Sequence, residues 1–136
     1  MGSFDHSEVS LRLGGETIDA DEITRLLGAS PTFSYKKGDR ISRHNSEGAF
    51  IKKRGIWCLR ATSCKPGDVE AQIVEIIGKL TQDLDVWASL QPYNPDFFCG
   101  LFMESGNDGV TLSPEVLMAM GQRGISLGLD VYDAHD

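Results

Sequence analysis

Nothing in this sequence spells out a reaction. A glycine-rich phosphate loop is missing, and so are the dinucleotide pattern G-x-G-x-x-G and the nucleophile elbow of hydrolases. Cysteine is scarce. Cys58, Cys64 and Cys99 make three, an odd number that does not close a disulfide framework. No C-x-x-C pair or close Cys/His pair offers the spacing of a zinc site. The three histidines, His6, His44 and His135, are scattered. Long apolar runs are absent too: the longest, Phe97 to Met103, falls far short of the roughly 20 residues that cross a bilayer. No basic stretch followed by an apolar segment opens the chain. These absences lead us to expect a cytoplasmic protein with no cofactor, no metal site and no catalytic residue that the sequence can name.

What is present is an ordinary globular composition with an unusual distribution of charge. The chain has 136 residues, 40% of them hydrophobic, which is enough for one domain with a true core (residues 1–136). Its net charge is -7. Residues 1–35 carry six acids against two bases, and residues 66–136 carry twelve against two. Residues 36–65 reverse the sign, with nine bases against two acids. Such a division orients an approaching partner at long range.

Hydrophobic periodicity gives the elements. Val9, Leu11 and Leu13 alternate with Ser10 and Arg12, as in a half-buried strand. Asp19 followed by Glu22 reads as a capping box, and Ile23, Leu26 and Leu27 as the apolar stripe of a helix that Gly28 stops. In "GIWCLRATS", Trp57, Leu59 and Ala61 share one strand face and Ile56 and Cys58 the other. Asp68 caps a helix over about 69–82, with Ile73, Ile76, Ile77, Leu80 and Leu84 at helical spacing. A short helical turn at 86–90 ends at "QPYNP". "DFFCGLFMES" is apolar on both faces, so it reads as a central strand with Phe97, Phe98 and Phe102 in the core. Ser113 and Pro114 open a last helix with Val116, Leu117 and Met120 inward. Ile125, Leu127, Leu129 and Val131 then alternate as a half-buried final strand.

If residues 29–54 supply one strand, the first six elements run β-α-β-β-α-β. The expected fold is therefore α+β: a two-layer sandwich with a mostly antiparallel sheet of four or five strands and helices on one face. Its order is ferredoxin-like, with an added C-terminal helix and strand.

Two short patterns stand out, Pro31 followed by Lys37-Gly38-Asp39, and Gly55-x-Trp57. Together with "LGASPTFSYKKGDR", "GIWCL", "LSPEVLMAM" and "ISLGLDVY", they resemble a bacterial family catalogued as domain of unknown function 4279, over nearly the whole chain. The resemblance implies a small, soluble bacterial domain and carries over no catalytic residue.

Charge thus supplies the candidate sites. Lys36, Lys37, Arg40, Arg43, Lys52, Lys53 and Arg54 lie within an excursion at 36–54. They form either a docking surface or a mobile, solvated hairpin. With Gly38, Gly48, Tyr35 and Phe50 they have the chemistry to meet phosphate or single strands. The acids Asp83, Asp85, Asp96, Glu104, Asp108 and Asp130 form the alternative face, suited to a basic protein. The leading expectation is a non-enzymatic protein-binding module of immunity or adaptor type, with a homodimer as a further option. Binding of a phosphate ligand or nucleic acid through 36–54 is the alternative. A small enzyme with an unrecognised site comes third.

Overall fold

A computed structural model describes residues 2–42 and 49–133. Strands β1 (His6–Gly15), β2 (Phe33–Tyr35), β5 (Gly55–Arg60), β6 (Asp96–Phe102) and β7 (Ser126–Tyr132) form one sheet in the order β2-β5-β1-β6-β7. All its pairings are antiparallel except β6 with β7. Strands β3 (Arg40–Ser42) and β4 (Ala49–Ile51) pair separately as a two-stranded ribbon. The helices are α1 (Ala20–Leu27), α2 (Val69–Lys79), α3 (Leu84–Ser89) and α4 (Pro114–Gln122). The fold is α+β with a mostly antiparallel sheet.

Parity decides what is core. Odd-numbered positions of the three inner strands, namely Val9, Leu11 and Leu13, then Trp57 and Leu59, then Phe97, Cys99 and Leu101, are buried together. Against them pack Ile23 and Leu27 of α1, Ile73 and Ile76 of α2, Trp87 of α3, and Val116 and Met120 of α4. Both buried indoles find acceptors: Trp57 donates to Thr24 Oγ1 at 3.1 Å and Trp87 to the Thr81 carbonyl at 2.9 Å. One polar cluster enters this layer. Ser7 Oγ donates to Gln72 Oε1 (2.5 Å), and Gln72 Nε2 donates to the carbonyls of Ser7 and Thr62 (2.9 Å each). The cluster fixes α2 against the start of β1 and leaves Gln72 fully paired.

Local signals act as their chemistry requires, with three differences. Asp19 accepts from the backbone N–H groups of Asp21 and Glu22, and Gly28 closes α1 in the left-handed region at φ 86. Glu22, however, pairs with Arg25 one turn on, so only the Asp19 half of the capping box forms. Leu84, placed by spacing on the long helix, instead starts α3 and is exposed, because α2 ends at Lys79. Leu117 of α4 also faces solvent.

The largest difference concerns the other face of the sheet. Phe98 and Phe102 are even-numbered, so they point away from the helices and are only half-buried. Among the described residues no helix covers that face. A strand apolar on both sides reads as doubly covered, but here the second side is open.

Candidate functional site

The open face is a grid set by strand register. Across one row lie Phe33, Cys58, Arg12 and Asp96; across the next lie Arg60, Ser10 and Phe98. His6, Phe102 and Tyr132 make a row near the far end. Small residues form the floor: Ser10, Cys58 and Gly100. Larger ones rise around it, and with Lys52 from the β4–β5 connection they enclose a cleft of about 640 Å³. That volume lies within the range of small-molecule sites.

Each cation in the cleft sits on an aromatic ring. The Arg12 guanidinium carbon is 4.4 Å from the centre of Phe98, and that of Arg60 is 4.9 Å from Phe33. Lys52 Nζ lies 4.8 Å from Tyr35 and 5.2 Å from Phe50. Arg12 is also held by a two-point pair with Asp96, at 3.0 and 2.7 Å. Those bonds raise the pKa of its guanidinium above the ordinary value. No described carboxylate forms an ion pair with Arg60 or Lys52. Arg12 and Arg60 are diagonal neighbours on paired strands, where Cβ atoms stand about 7–8 Å apart. Two like charges thus share one floor, with Asp96 beyond Arg12 on β6 and Glu8, which accepts from Ser63 Oγ at 2.5 Å, as the carboxylate that lines the cleft itself. Opposite them a ladder of rings closes the cleft: His6 stacks on Phe102 at 4.0 Å, and Phe102 on Tyr132 at 4.7 Å.

Cys58 is the thiol in the floor. Burial pushes its pKa up, against a hydrogen bond with Ser10 that pulls the other way. A thiol held protonated is a poor nucleophile. Cys99, buried on the helix side, is pushed up to about 11.

The basic residues picked from the sequence are divided among several places. Lys52 alone enters the cleft. Lys53 and Arg54 line a shallow recess at the start of β5. Lys36 borders a recess shared with Asp19, Asp21 and Asp39, and Lys37 Nζ lies 3.8 Å from Glu16. Arg40 is exposed on β3, and Arg43 lies outside the described residues. The acids are dispersed as well. Asp83 caps α3, with Asp85 in its first turn. Asp96 holds Arg12, and Asp130 accepts from Tyr132 Oη (2.6 Å). Glu104 and Asp108 share a turn beyond the opposite end of β6, where Asp108 accepts from the Glu104 and Ser105 backbones. Sequence reasoning missed Arg12, Arg60, Phe33 and Phe98. The signal was there in the alternation, which set Ser10 and Arg12 on the face opposite Leu11 and Leu13.

The two short patterns noted at the outset are structural. Gly38 sits at φ 95 in a turn that Asp39 closes by accepting from the Lys36 N–H at 2.9 Å. A Cβ on Gly55 would run into Ile18 and come within 3.0 Å of the Tyr35 carbonyl and 3.2 Å of the Gly15 carbonyl. Only glycine lets β5 start in that space, and Trp57 two residues on anchors the core. In comparisons with known proteins, no curated protein and no solved structure matches the chain. The model of one family matches residues 5–134 and carries the description "domain of unknown function". That match takes in nearly every residue described above, and the chain therefore belongs to the DUF4279 family.

Proposed function

We propose that this chain is a non-enzymatic binding module that holds a small anionic ligand with a planar ring on the open face of its sheet. The observation that carries this reading is the diagonal pair Arg12 and Arg60, each with its guanidinium carbon over a phenylalanine ring, beside a floor of small side chains. Ligand carboxylate or phosphate fits between the guanidinium groups, which present paired donors to such oxygens. A ring fits over Phe33 or Phe98, or against the His6–Phe102–Tyr132 ladder. Nucleotides and aromatic acids share this chemistry. A long nucleic-acid strand suits the molecule less well, because a net charge of -7 repels polyphosphate beyond the cleft. Burial raises the pKa of Cys58, so the thiol in the cleft is a poor nucleophile.

The test is titration of isotope-labelled protein with mononucleotides and with aromatic carboxylates at low ionic strength, read by amide chemical shifts. Shifts should centre on Ser10, Arg12, Cys58, Arg60 and Phe98, and Arg60→Ala should weaken them. A flat response to both sets would overturn the reading.

The broader expectation, a protein partner of the immunity or adaptor kind, draws support from the same face, since Phe, Tyr and Arg are enriched at protein interfaces. Its footprint would be larger, about 800 Å² per partner, and would protect the rim at His6 and Tyr132 as well as the floor. We also read β2-β5-β1-β6 as a ferredoxin-like arrangement, with β3–β4 inserted and α4–β7 added. Its support is that these four strands are antiparallel in that order.

A further inference from the structure

The second sheet edge carries a separate inference. β7 pairs only with β6, so its other side is an unpaired ladder edge among the described residues. Ser126 N donates to Pro95 O, and Tyr132 O accepts from Met103 N, so the backbone groups of even-numbered residues face β6. Those of Leu127, Leu129 and Val131 therefore point outward. The same three side chains lie on the helix side of the sheet, yet they are 36%, 52% and 52% exposed. An edge strand with outward donors and exposed apolar residues is what soluble proteins usually blunt with charge, proline or a bulge. β7 has no Lys, Arg or Pro, and Asp130 is its one charged residue.

We propose that β7 pairs antiparallel with β7 of a second copy of this chain, about a two-fold axis at Leu129. That register is self-complementary. Leu129 meets its own copy, Leu127 meets Val131, and Ser126 meets Tyr132. Asp130 meets Gly128, so no like charges are directly opposed. Each outward residue exchanges both backbone bonds with its opposite, on the order of six across the junction. The two five-stranded sheets become one continuous sheet, and both open faces lie on the same side of it. This inference is independent of the ligand reading.

Sedimentation across a wide concentration range should show a dimer that dissociates on dilution. Leu129→Lys places two ammonium groups at the axis and should weaken association by at least about tenfold. A cysteine test reads the register directly. In a hydrogen-bonded antiparallel pair the Cα atoms are about 5.5 Å apart, within disulfide reach. In a Cys64→Ser background, Leu129→Cys should crosslink to its own copy under mild oxidation. Leu127→Cys should not, because its copies sit four residues apart along the strand, roughly 13 Å. A monomer at every concentration, an unchanged dimer with Leu129→Lys, or equal crosslinking at both cysteines would overturn the proposal. Should Leu129→Lys fail to fold by circular dichroism, the crosslinking pair decides.

Discussion

The two faces of the sheet are built from the same strands and differ by one step along them. On the odd-numbered face, Leu11, Trp57 and Phe97 are 0% exposed and enclosed by helices. On the even-numbered face, Arg12, Arg60 and Phe98 stand in reach of solvent. The first face gains stability from area removed from water. The second gathers charge on aromatic rings without a lid. Phe97 and Phe98 are chemically identical neighbours on opposite sides of this division, so position decides the role.

The sharpest way to break the comparison is to damage each face and measure both stability and binding. Trp57→Ala should cost about 3–5 kcal/mol in urea unfolding, the usual loss for a buried aromatic. Phe98→Ala should cost only about 1.5–2.5 kcal/mol, half the value of a fully buried ring. Equal losses would mean that the open face is covered in solution. Next in size is the polar cluster in the covered layer. Gln72→Ala removes the acceptor of the Ser7 hydroxyl and the side-chain donor to the Thr62 carbonyl, while Ser7 keeps its bonds from the Cys64 and Asp68 N–H groups, so about 1–3 kcal/mol should go. A change under a few tenths would show that water replaces the amide there.

Arg60→Ala should separate the faces from the other direction. Stability should stay within about 0.5 kcal/mol, as for a solvent-facing side chain. Affinity for an anionic ring ligand should fall roughly tenfold to a hundredfold, the worth of one charge-assisted contact. Unchanged affinity would remove Arg60 from the site. The smallest effect is expected at acid pH. Glu75 accepts from the Thr62 backbone and hydroxyl and lies beside Lys79, which holds its carboxyl below the usual 4.5. A depressed folded pKa stabilises above the unfolded value, and that contribution disappears as pH falls through the folded one. Glu75→Gln should therefore flatten the loss of stability below about pH 4.5. An acid limb identical to that of the parent chain would count against this bond.

Parity within strands was plain in the sequence: Trp57, Leu59 and Ala61 separate from Ile56 and Cys58 by alternation alone, and they do so in the structure. Caps at Asp19, Asp68 and Ser113 were equally plain, because each satisfies orphan backbone donors locally. Which face the helices would choose was not written in any one strand. Phe98 and Phe102 looked like core because an apolar residue gives the same signal whether or not something covers it. Leu127, Leu129 and Val131 alternated correctly, but alternation does not tell an inner strand from an edge. The cleft was hidden for a related reason. Arg12 and Arg60 are 48 positions apart, and only the β1–β5 register makes them neighbours. The crowded bases of 36–54 drew notice because they are close in sequence, yet the fold sends just Lys52 into the cleft.

The shallow floor of Ser10, Cys58 and Gly100 has a consequence for how such a protein diversifies. Gly100 has room for a methyl group, since an added Cβ would meet nothing nearer than 3.5 Å. Replacements there, or at Ser10, reshape the recess without touching a residue that holds the helices. The shape of the recess and the stability of the covered layer are therefore set by different residues, and the first can change while the second stays as it is.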